Sequence, residues 1–134
     1  MNDFKFSLAF RVFHPKASIA DIDTAVGRKA NYKQEVGKPR KTPKDEPLKG
    51  VYDQTYCCYE LVEGRRAMFE KSLRKWTRTF GNRKAALQKL RRSGGRLEYY
   101  LVLLLEGNAG IVFEDLDLRE MSALGIQLAL DIYP

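Results

Sequence analysis

Ile126-Gln-Leu-Ala-Leu-Asp-Ile-Tyr133 alternates between apolar and other side chains, directly after a stretch of helical spacing that stops at Gly125. A period of two is the mark of a strand with one buried face. It sets Ile126, Leu128, Leu130 and Ile132 on one side and Asp131 and Tyr133 on the other. A chain that reads this way is expected to close its fold with a strand that follows a helix. Asp131 is the only charge in the segment, which makes it and Tyr133 candidate contact residues on the opposite sheet face.

The same alternation runs from Phe4 through Phe6, Leu8 and Phe10 to Val12, and His14-Pro15 ends it. Ser18 followed three residues later by Asp21 resembles a capping box. Ile19, Ile22 and Val26 then recur at helical spacing before a Gly27 stop. Between residues 28 and 50, Gly37, Pro39, Pro43, Pro47 and Gly50 interrupt a lysine-rich sequence without sustained periodicity, which reads as one long, mobile basic loop. Residues 51–61 are rich in Tyr, Val, Thr and Cys and suit a second strand, punctuated by Glu63-Gly64.

Leu73, Trp76 and Phe80 fall within roughly 40° of Phe69 on a helical wheel, with Lys71, Arg74, Lys75 and Arg78 around the opposite side. Gly81 breaks this helix, and Asn82 is expected to cap another that runs through Leu87 and Leu90 to Gly94-Gly95. Residues 96–106 are apolar on both faces, the pattern of a central strand covered at least partly on both sides. A turn at 107–110, a short strand at 111–113 and a helix capped by Asp115 complete the order. The expectation is one α+β domain spanning 1–134. It takes the form of a two-layer sandwich of four or five mostly antiparallel strands with three or four helices, ferredoxin-like or related.

A chain of 134 residues can bury a core without a metal or a disulfide. Cys57 and Cys58 are neighbours in an extended segment, so they point to opposite faces and do not bridge; one thiol is expected in the core and the other outside. No stretch approaches bilayer-spanning length and the first residues lack a signal-peptide pattern, so a cytoplasmic location is expected. His14, the only histidine, sits at a strand end and reads as a turn group rather than a base. The cysteines lack the spacing of redox or zinc motifs, and neither a phosphate-binding glycine loop nor a nucleophile elbow occurs. Glu114, Asp115, Asp117 and Glu120 suit the positive end of a helix better than a calcium loop. No enzyme activity, metal or cofactor is expected.

Charge is segregated. Residues 28–96 hold 20 Lys and Arg against 7 Asp and Glu, a balance of +13, while the remainder holds 4 against 10, or −6, giving the net +7. Clustered positive charge attracts an acidic protein face or a nucleic acid, and is also common on solvated helix faces that bind nothing. The candidate contacts are Lys71, Arg74, Lys75 and Arg78 with Arg91 and Arg92 beyond them. Tyr52, Tyr56 and Tyr59 are placed on one strand, where bases stack in single-strand binders, but no RNA-recognition signature accompanies them.

Three segments carry a family resemblance. They are the opening strand from Phe4 into His14-Pro15 and Ser18-Ile19, the Gly37-Lys-Pro region, and Leu124-Gly-Ile-Gln-Leu-Ala-Leu-Asp-Ile-Tyr133. In these the chain resembles bacterial domain-of-unknown-function family 4279. The resemblance implies a small cytosolic bacterial domain and brings no active site with it. The function expected is a non-enzymatic, monomeric or homodimeric binding protein, in concrete form an immunity protein that neutralises a toxin delivered between neighbouring bacteria. Its net charge points to an acidic toxin face rather than a basic nuclease site. An RNA- or DNA-binding module is the alternative, and an enzyme built around Asp131 and the tyrosines the third reading.

Overall fold

The opening alternation builds β1 (Phe4–His14), the middle strand of a five-stranded sheet. A computed structural model describes residues 2–134 as α+β, with four helices, the five-stranded mixed sheet and a separate two-stranded sheet. After β1 come α1 (Ile19–Val26), β2 (Tyr32–Gln34), β3 (Pro39–Lys41), β4 (Pro47–Val51) and β5 (Thr55–Arg65). α2 (Arg66–Gly81), α3 (Lys84–Arg92), β6 (Arg96–Leu105), α4 (Asp115–Leu124) and β7 (Ile126–Tyr133) complete the chain. The sheet order is β2-β5-β1-β6-β7; β6–β7 is parallel and the other pairings are antiparallel.

The helices cover one face of the sheet. Phe4, Phe6, Leu8, Phe10 and Val12 point into the core with Tyr59 and Cys57 of β5 and Leu97, Tyr99, Leu101 and Leu103 of β6. Phe69, Leu73 and Phe80 descend from α2 as the helical wheel requires, and the Phe80 ring stacks on Phe10 at 4.4 Å. Each such side chain contributes about 1.5–3 kcal/mol by leaving water, which is why this stripe determines how α2 lies on the sheet. Buried hydroxyls are paired: Tyr59 Oη donates to Asp23 Oδ1 at 2.6 Å, and Thr77 Oγ1 bonds Tyr99 Oη at 2.8 Å.

Local signals are followed closely at α1, where Ser18 Oγ accepts from the Asp21 N–H at 3.1 Å and Gly27 takes φ 85°. Elsewhere the outcome differs. The segment 28–50 is not one loop: β2 pairs with β5, and β3 and β4 form a hairpin pinned by Tyr52, whose Oη accepts from the Lys41 N–H at 3.2 Å. Tyr52 lies before β5, which begins later than expected and runs through Gly64, with a bulge that leaves Leu61 unpaired. Asn82 ends α2 rather than capping α3, whose N-cap is Arg83. α4 is preceded by Glu114 as N-cap, not Asp115. Residues 111–113 form no strand, although Ile111 and Phe113 still pack on the core. The chain also departs from the ferredoxin-like order β-α-β-β-α-β, because β2 and a hairpin precede β5 and two successive helices separate β5 from β6.

Two findings concern the sheet faces. Helices cover β6 on one face only; on the other, Glu98 is buried beside Arg11 and Arg96 while Leu104 is 47% exposed, so cover there is partial. Helix cover also runs out along β7, so Ile126 is buried while Leu130 and Ile132, expected on the same buried face, are exposed.

Candidate functional site

α2 offers its outer side because its inner side is fully used. With Phe69, Leu73, Thr77 and Phe80 turned to the core, Lys71, Lys75 and Arg78 emerge on successive turns as an exposed row. No carboxylate lies within ion-pair distance of these three among the described residues. Arg74, expected in the same row, is instead a clamp to α4. Its Nε donates to Asp117 Oδ1 at 2.9 Å and an Nη to Oδ2 at 3.1 Å, with Glu114 Oε2 at 3.3 Å. The acidic cluster therefore does more than serve a helix terminus: Asp117, buried, is bonded to Arg74.

Trp76 flanks the row from the other side. Arg28, just past the end of α1, sets its guanidinium 4.9 Å from the indole, and Lys75 approaches the same ring at 5.6 Å. The Arg83 guanidinium lies against Gly27, where a Cβ would meet it at 2.6 Å, so it sits by the negative end of α1. Arg28 and Arg83 escaped the sequence pattern because neither shares a helical face with the row. A positive residue immediately after a helix-ending glycine was the one available signal. Arg91 folds over Gly125 at the start of β7, and Arg92 is exposed at the end of α3.

The uncovered sheet face holds a second constellation. The Arg11 Nε donates to Glu98 Oε2 at 2.8 Å, its Nη also bonds this carboxylate, and its guanidinium lies 3.9 Å from the Tyr100 ring centroid. Tyr100 Oη in turn donates to Asp131 Oδ2. The register explains this: Arg11 faces Glu98 across β1–β6, and Tyr100 and Asp131 belong to adjoining strands on the same face. Arg96 covers the Phe13 ring at 4.1 Å, and Phe13 meets Tyr56 at 5.1 Å. Tyr56 and Tyr59 therefore point to opposite faces, and Tyr133 stands exposed at the far end of β7. Two depressions of about 390 and 440 Å³ meet at Ser7 and Glu63 on this face.

Burial governs both thiols, Tyr56 and His14. Both thiols are buried, not one, and burial pushes Cys57 up to about 11 and Cys58 upward as well. Burial, then the Cys58 hydrogen bond, pushes Tyr56 up to about 12. His14 is buried; its Nδ1 accepts the Lys16 and Ala17 N–H groups at 3.0 and 2.9 Å, and its Nε2 bonds Ser93 Oγ at 2.9 Å. Among the described residues no three His, Cys, Asp or Glu side chains gather as a metal site would require. No helix is long and apolar enough to cross a membrane.

Compared with known proteins, the chain matches no family model, no curated protein and no solved structure.

Proposed function

We propose that this chain is a non-enzymatic bacterial binding protein that engages an acidic face of another protein through its helix layer. The observation that carries the reading is the exposed Lys71-Lys75-Arg78 row, extended by Arg28 on Trp76, while Arg74 beside it is neutralised by Asp117. Unpaired cations held on a rigid helix raise association rates with an acidic partner and set its orientation, and Trp76 adds apolar area of the kind that anchors interfaces. The concrete form is a cytoplasmic immunity protein that neutralises a cognate interbacterial toxin by covering it. Kinship with domain-of-unknown-function family 4279 belongs to the same proposal.

Charge reversal of the row, Lys71→Glu with Lys75→Glu and Arg78→Glu, tests it. The variant folds as the native chain does, captures no partner from the native cell, and fails to protect cells that express a toxin encoded beside it. Full capture and protection by the variant would overturn the proposed surface. Salt-titrated binding to random RNA and DNA separates the alternative. Tight binding whose logarithm falls steeply with the logarithm of salt concentration would replace a protein partner with nucleic acid. The tyrosines lend that alternative no stacking platform, since Tyr52 pins the hairpin and Tyr56 packs on Phe13.

A further inference from the structure

β7 leaves one edge of the sheet open: it pairs with β6 on one side and with no strand on the other among the described residues. The opposite edge, β2, has only three residues with Lys33 in the middle, and short lysine-bearing edges resist pairing with other chains. β7 has neither defence. It is eight residues long, contains no Lys, Arg or Pro, and its single charge is bonded to Tyr100. Its helix-side cover also ends partway, leaving Leu130 43% and Ile132 55% exposed. Leu118 of α4, which lines the same groove as Leu128, is 44% exposed. Apolar side chains thus stand next to unpaired strand N–H and C=O groups, a combination that folded monomers avoid.

We propose that a second copy of this chain pairs antiparallel on β7 about a twofold axis through Ala129, joining two five-stranded sheets into one. The self-match selects the occupant. With the axis at Ala129, Leu128 lies opposite the partner's Leu130 and Ile126 opposite the partner's Ile132 on the helix side. On the other face Gln127 lies opposite the partner's Asp131, so an amide donor meets a carboxylate acceptor. Moving the axis by one residue to Leu130 instead sets the two Asp131 carboxylates diagonally across the pair, where like charges repel. The pairing uses β7 alone and stands apart from the basic row on α2, so either proposal can fail without the other.

Sedimentation equilibrium of the whole chain is expected to give twice the monomer mass. Leu130→Lys and Ile132→Lys, both at exposed positions, are expected to return the monomer with unchanged circular dichroism. Ala129→Cys adds a position-specific readout. Residues facing across an antiparallel pair lie about 4.5–5.5 Å apart at Cα, within disulfide reach, and the native thiols are buried. Mild oxidation therefore links two copies of Ala129→Cys and leaves Gln127→Cys unlinked, and this holds as a test even where a lysine variant loses its fold. A wild-type chain that stays monomeric, a dimer indifferent to Leu130→Lys, or equal linking at both cysteine positions would each overturn the proposal.

Discussion

His14 shows how a single side chain ties distant parts of this chain together. Its ring closes the turn after β1 through Nδ1 and reaches the end of α3 through Ser93. Accepting two backbone N–H groups requires an unprotonated Nδ1, and burial lowers the pKa from its ordinary 6.5. The unfolded chain therefore takes up this proton more readily. The contribution of His14 to stability is complete above about pH 6.5 and is lost as pH falls from there through the lower folded value. Urea midpoints measured from about pH 7 down to about pH 5 should fall in the native chain and fall less in His14→Asn; parallel curves would place the loss on other groups. At Arg74 the expectation concerns denaturation at constant pH. Arg74→Ala leaves the buried Asp117 carboxylate without its guanidinium and lowers the midpoint, whereas Lys75→Ala, which takes no partner from a buried carboxylate, does not lower it. Asp131 is legible in the sequence as a residue of the opposite sheet face, whereas its partner there, the Tyr100 hydroxyl, is not. A hydroxyl 31 residues away carries no charge pattern by which the sequence could announce it.

Helices and strands obeyed local chemistry where that chemistry was complete. α1 has a serine cap, apolar spacing and a left-handed glycine, and it lies where those signals put it. α3 and α4 have no side-chain cap bond, and for that reason each starts one residue from where the sequence puts it. The glycines give a test with opposite signs. Gly125 has φ 73° and a Cβ there would collide with the Arg91 guanidinium, so Gly125→Ala should cost about 1 kcal/mol or more. Gly81, the last residue of α2, has no positive φ and nothing near its missing Cβ, so its change to alanine should stabilise by about 0.5 kcal/mol. Chemical denaturation of both variants reads the two signs directly. The 28–50 segment went unread because β2 and the β3–β4 hairpin are too short for periodicity, and tertiary bonds hold them: Val36 N–H to Thr55 Oγ1, Ile19 N–H to Glu35 Oε1.

Across the whole molecule, charge sorts by layer more than by sequence position. The open sheet face pairs its arginines internally, Arg11 and Arg96 with Glu98 and Arg65 with Glu106, whereas the α2 row has no such partners. Like charges on that row repel, so sodium chloride should raise the melting temperature as the Debye length falls from about 10 Å at 0.1 M to about 3 Å at 1 M. The variant Lys71→Gln, Lys75→Gln, Arg78→Gln should show a smaller rise; an equal rise would place the repulsion elsewhere. The sequence by itself determined the strands and helices with long periodicity, the side of α2 that faces the core, and the concentration of positive charge in the middle of the chain. These depend on residues within a turn or two of one another, where spacing alone dictates direction. Only the tertiary structure decided that Arg74 is neutralised and Lys75 is not, that Arg28 covers Trp76, and that β7 lies parallel to β6 at an open edge with half its apolar face bare. Those outcomes depend on which elements meet, through contacts such as that of Arg74 with Asp117, 43 positions apart, and no local pattern encodes such a meeting.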